Sequence, residues 1–64
     1  MIKWLVKISL QESTSWDCET VMQGEYIRDL LPQIKRVFKK EFDPSNKMDE
    51  YELEENLAYE ITRI

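Results

Sequence analysis

Residues 24–42 read GEYIRDLLPQIKRVFKKEF. Ile27, Leu30, Leu31, Ile34, Val37 and Phe38 recur at i, i+3, i+4, i+7, i+10 and i+11, the spacing of one apolar stripe on an amphipathic helix. Tyr26 and Phe42 widen the stripe. Arg28, Lys35, Arg36, Lys39 and Lys40 occupy the other side. No other stretch is as long and as periodic, so the remaining segments are expected to pack against this one.

Pro32 is the local conflict. Inside a helix it removes one hydrogen bond and collides with the carbonyl four residues back, here that of Arg28, at a cost of about 3 kcal/mol. Two readings follow. In one, the helix starts near Glu25 and kinks at Pro32. In the other, Asp29 caps the helix, Pro32 sits in its first turn and residues 24–28 form a separate turn. The stripe keeps phase across Pro32, which favours the kink. Asp43-Pro44-Ser45-Asn46 stops the helix, and Lys39 and Lys40 suit its C-terminal dipole.

Upstream, Met1 to Gln11 alternates. Ile2, Trp4, Val6, Ile8 and Leu10 share one side; Lys3, Lys7, Ser9 and Gln11 share the other, with Leu5 as the apolar exception. Period two with β-branched and aromatic residues reads as a half-buried strand. Glu12-Ser13-Thr14-Ser15 is a turn cluster. A second strand runs from Trp16 to about Gln23, with Trp16, Cys18, Thr20 and Met22 toward the core. A turn over residues 11–15 pairs Trp4 with Met22, Leu5 with Val21 and Lys7 with Glu19. That register matches apolar with apolar and plus with minus.

Downstream, Leu53, Leu57, Ile61 and Ile64 fit a helical face, while Leu57, Tyr59 and Ile61 alternate as in a strand. The β propensity of Tyr59, Ile61 and Thr62, and the hairpin's bare edge, favour a strand from Leu57 to Arg63. Residues 45–56 then form an acidic connection with room for a helical turn near Asp49–Glu54. A right-handed crossover lays strand three beside strand one. The expected fold is α+β, one domain over residues 1–64, ββαβ, with a three-stranded sheet of order 2-1-3 and one helix on one face.

Composition narrows the function classes. A chain of 64 residues buries only about 60% of its unfolded surface, so a partner or a homodimer would supply useful burial. The chain opens on Met1, and Lys3 and Lys7 break its first apolar run. It is expected to be a complete small gene product without signal peptide or membrane span. There is no histidine, one cysteine and one glycine. An internal disulfide is impossible and nothing requires an oxidising compartment, which points to the cytoplasm. Cys18 lies on the core-facing parity, where a thiol acts as a small hydrophobe. Zinc clusters and calcium-loop spacing are missing, as is a phosphate-cradling glycine loop. The expectation is a non-enzymatic chain with no cofactor and no metal.

The net charge of −4 is uneven: −1 over residues 1–24, +2 over 25–42 and −5 over 43–64. The acidic run Asp49, Glu50, Glu52, Glu54 and Glu55 would face a basic groove on a partner or steer association. Leu5 and Val21, ringed by Lys3, Lys7, Asp17 and Glu19 on the sheet face away from the helix, look like a small binding patch. Arg28, Lys35, Arg36, Lys39 and Lys40 offer an alternative nucleic-acid face, against which the acidic net charge argues. A third class is a structural or assembly protein that oligomerises through a sheet edge.

The order strand, strand, helix, strand in a short acidic chain resembles small phage-encoded proteins that inhibit host machinery. The pattern is similar to phage inhibitors of bacterial RNA polymerase in its aromatic opening strand, Lys3-Trp4-Leu5-Val6, and its last strand, Tyr59-Glu60-Ile61-Thr62-Arg63-Ile64. Pro32, the basic helix and the long acidic connection depart from that pattern and leave the target open. Anti-CRISPR and other anti-defence proteins share the profile. The resemblance implies a viral protein in the host cytoplasm that occludes a host protein or complex with a basic surface, with Arg63 touching that partner.

Overall fold

The structure is a computed structural model that describes residues 1–64. Its centre is strand β1 (Lys3–Leu10), paired on both sides. Strand β2 (Asp17–Gln23) and strand β3 (Leu57–Arg63) each run antiparallel to it, in the order β2-β1-β3. This is the expected α+β sheet. β1 takes the centre because its alternating Val6 and Ile8 are fully buried. Its neighbours answer in kind. Trp4 faces Met22, Leu5 faces Val21 and Lys7 faces Glu19, as the matched register requires. On the other side Val6 faces Ile61, Ile8 faces Tyr59 and Leu10 faces Leu57. Those three pairs explain why residues 57–63 extend as a strand: Val6, Ile8 and Leu10 each gain an apolar cross-strand partner.

The sheet's inner face is covered by helix α1, which runs from Leu31 to Phe42. The expected start near Glu25 and kink at Pro32 are therefore corrected. Residues Ile27–Asp29 form a separate 3₁₀ turn, and Pro32 occupies the second position of α1. The first N–H groups of a helix have no partner inside it, so proline there forfeits nothing. The first bond of α1 runs from the Ile34 N–H to the Leu30 carbonyl, at 2.8 Å. Asp29 caps the preceding turn, its carboxylate accepting from the Tyr26 N–H at 3.1 Å. Ile27 consequently falls out of the stripe and is 51% exposed. Leu30, Ile34 and Phe38 carry the stripe into the core, all fully buried.

Two side chains tie this entry to the sheet. The Trp4 indole N–H donates to the Gly24 carbonyl at 2.9 Å, and the Gln33 amide donates to the carbonyls of Gln23 and Asp29. Gly24 is glycine for space: a Cβ there would meet Asp29 Cβ at 3.2 Å and Leu30 Cδ2 at 3.3 Å. At the other end of α1, Phe38 stacks on Phe42 with ring centroids 5.1 Å apart, and Trp16 packs edge-on against Phe38 at 5.5 Å.

Asp43 turns the chain after α1. It is buried, and its carboxylate accepts from the N–H groups of Lys47 (3.0 Å) and Met48 (2.8 Å). Those two bonds, led by that from Met48, hold its carboxyl below the usual range. Asn46 takes the left-handed conformation at φ 56° that this residue type tolerates. The connection then becomes a second helix, α2 (Glu50–Asn56). Asp49 caps it, accepting from the Glu52 N–H at 2.9 Å. Leu53 is its one buried residue. No helix is long and apolar enough to cross a membrane.

Candidate partner-binding surfaces

α2 holds the acidic run, and its single buried residue sets which carboxylates face where. Leu53 points inward. Glu50 and Glu54, one turn apart, line a groove of about 380 Å³ opposite Pro32, Lys35, Arg36 and Lys39 of α1. Glu54 forms an ion pair with Lys35. That hydrogen bond, with the nearby charge of Glu50, raises the Lys35 ammonium above its ordinary value. The Asp49 carboxylate serves as the helix cap. Glu50, Glu52 and Glu55 keep exposed side chains with no internal hydrogen bond or ion pair, and of these only Glu50 lines the groove against α1. Tyr51, one turn before Glu55, is 69% exposed beside them. Tyr51 and Glu55 border a shallow depression with Gln11 and Glu12. An exposed tyrosine amid carboxylates is a feature that sequence reasoning missed.

Leu5 and Val21 lie opposite one another on the sheet face away from the helices, 38% and 53% exposed. Thr62 continues their row on β3. In the next row Lys7 stands between Glu19 and Glu60. This is the small apolar patch with charged neighbours that the alternation implies.

Arg63 is exposed and pairs across the ladder with Trp4. Cross-strand partners share a face, so Arg63 lies on the helix side while Leu5 and Val21 lie on the other. Arg63 also ends β3, whereas α2 leads into its start. The acidic run, the apolar pair and Arg63 therefore occupy three separate places and do not form one continuous surface.

The basic residues are likewise divided. Arg28 belongs to the 3₁₀ turn, its guanidinium 5.0 Å from the Tyr26 ring centroid. Lys35 is engaged by Glu54, and Lys39 lies near Asp43. Arg36 and Lys40 remain exposed on α1. A second group missed from sequence collects at the end where β1 begins. Met1, Tyr26, Ile27 and Ile64 are all exposed. The Ile64 N–H donates to the Lys3 carbonyl there, and Met1, Ile2 and Tyr26 border one depression. Pro32 is the signal that could have released Tyr26 and Ile27 from the stripe.

Cys18 is half-buried on the inner face. Burial first, then the charges of Glu41 and Asp17, push its thiol above the ordinary value, so it is protonated and a poor nucleophile at neutral pH. No three His, Cys, Asp or Glu side chains converge in a metal-binding group. No protein-family model, curated protein or solved structure matches this chain.

Proposed function

We propose that the chain is a non-enzymatic protein-binding module of the phage-inhibitor type, acting in the host cytoplasm. The outer side of α2 docks on a basic surface of a host protein and occludes it. One observation carries this reading. Tyr51, Glu52 and Glu55 are exposed together on a helix of which Glu54 is engaged by Lys35, Asp49 serves as the cap and Glu50 faces the groove against α1. Tyrosine is one of the residue types, with tryptophan and arginine, in which interface hot spots are enriched, and unpaired carboxylates around it steer a basic partner. The resemblance makes bacterial RNA polymerase the first target to try, with CRISPR and other defence complexes next. The basic face of α1 supports a nucleic-acid role less well, because Lys35 is already engaged by Glu54.

The test begins with tagged protein and a bacterial lysate. The captured protein is identified, purified and bound to wild type and to the Glu52→Lys/Glu55→Lys variant by interferometry across a salt series. Charge steering changes association rates by about tenfold or more, so the variant is expected to associate that much more slowly and with a flatter salt dependence. Equal rates and equal salt slopes would reject the proposed role of α2.

A further inference from the structure

We infer that β3 pairs with β3 of a second copy, joining two three-stranded sheets into one. This does not rest on the host-protein reading. The argument starts from which backbone groups are free. The Gln11 N–H donates to the Asn56 carbonyl at 2.9 Å, and the Ile64 N–H donates to the Lys3 carbonyl at 3.2 Å. Antiparallel ladders alternate, so the backbone groups of Ala58, Glu60 and Thr62 point into β1. Those of Tyr59, Ile61 and Arg63 point outward, where no hydrogen bond meets them. No proline or bulge interrupts this edge, and such a row is a template for another strand.

The β2 edge is better guarded. Its outward residues include Asp17 and Glu19, and the Gln33 amide already occupies the Gln23 carbonyl.

Side-chain charge selects the occupant and its register. A two-fold antiparallel pairing must set outward residues against outward residues, which leaves few choices. A pairing centred on Glu60 puts Glu60 against itself. One centred on Tyr59 draws Asn56 and Glu55, the last turn of α2, into the strand. The pairing centred on Ile61 avoids both, and unlike one centred on Thr62 it keeps Tyr59 within the ladder. Ile61 meets Ile61, Tyr59 meets Arg63 of the second copy, and Glu60 meets the neutral Thr62. Aromatic rings and guanidinium groups attract, and the charged residues meet no like charge. The overlap ends at Tyr59, beyond the last residue of α2.

The full chain is examined by sedimentation equilibrium from about 1 µM to about 1 mM, a range that reports dimers of low to moderate affinity. A reversible dimer is expected. Thr62 is exposed, so its substitution leaves the fold intact, which circular dichroism checks. Thr62→Lys sets a lysine against Glu60 twice per dimer and is expected to tighten it about two- to thirty-fold. Thr62→Glu is expected to weaken it by a similar factor. A strict monomer throughout, an open polymer, or a dimer indifferent to both substitutions would overturn the inference.

Discussion

Replacing Pro32 with alanine separates the two ways of reading the central stretch, because they demand opposite signs. In a helix kinked at residue 32, alanine would restore an N–H and remove a clash, stabilising the fold by about 3 kcal/mol. Here Pro32 sits one residue after the start of α1, ahead of the first helical hydrogen bond at Ile34. Its missing N–H has no partner to lose. The ring is exposed, so little burial changes. What alanine does change is the unfolded chain, which gains freedom and lowers stability by about 0.4–1 kcal/mol. For a domain of this size each kcal/mol moves the midpoint by about 4–8 °C. The variant should therefore melt about 2–8 °C below wild type, whereas the kinked alternative requires a rise of at least about 12 °C. Thermal unfolding followed by far-ultraviolet circular dichroism reads the difference. A rise in midpoint would refute the placement of Pro32 in the first turn.

Two further outcomes follow from the core and from the turn after α1. Phe38 is fully buried between Trp16 and Phe42. Phe38→Ala should cost about 3–5 kcal/mol, a large share of the roughly 3–10 kcal/mol such a chain commands. Phe38→Leu, which loses chiefly the aromatic contacts, should cost about 1–2 kcal/mol; tryptophan fluorescence during urea unfolding measures both. The folded-state pKa of Asp43 is depressed, so its contribution is complete above the ordinary value of 3.8 and lost as pH falls through the lower folded value. Asp43→Asn should lower the urea midpoint at pH 7 and flatten its decline below about pH 4; curves that superimpose at every pH would contradict the role given to the carboxylate.

The sheet was legible because one of its faces is buried. Burial enforces period two in β1, and Lys7 against Glu19 with Leu5 against Val21 leaves one sensible register for β2. The start of α1 was not legible from periodicity. Ile27 stands three residues before Leu30, a spacing that a 3₁₀ turn and an α-helix share, so the stripe looks continuous where the backbone is not. Only the steric demand of Pro32 on Arg28 marks the break. α2 is too short for a periodic signal, with one buried residue in seven. Its start was nonetheless written in Asp49 and Glu52, the N-cap and N3 positions of a capping-box pattern. The Asp43 turn was half legible. The proline after it marks a helix stop, but nothing local says that its carboxylate will collect the N–H groups of Lys47 and Met48.

The charge asymmetry of the sequence also changes meaning once the helices are placed. Basic α1 and acidic α2 lie against each other, so part of the −5 carried by residues 43–64 is answered inside the fold by Lys35. On the proposed function, steering a partner would fall to Glu52 and Glu55, on the side that α1 does not reach. A flat partner touching that side cannot also touch Leu5 and Val21, because the sheet lies between them. The apolar pair and the outer carboxylates of α2 are therefore separate surfaces. Pairing through β3 is compatible with the second. The paired segment begins after α2 ends, and antiparallel symmetry sends the two copies of α2 to opposite ends of the extended sheet. In such a dimer each copy would keep Tyr51, Glu52 and Glu55 open to solvent, so one dimer would hold two acidic docking helices at fixed separation, and a repeated basic target would bind it with the avidity that a monomer lacks.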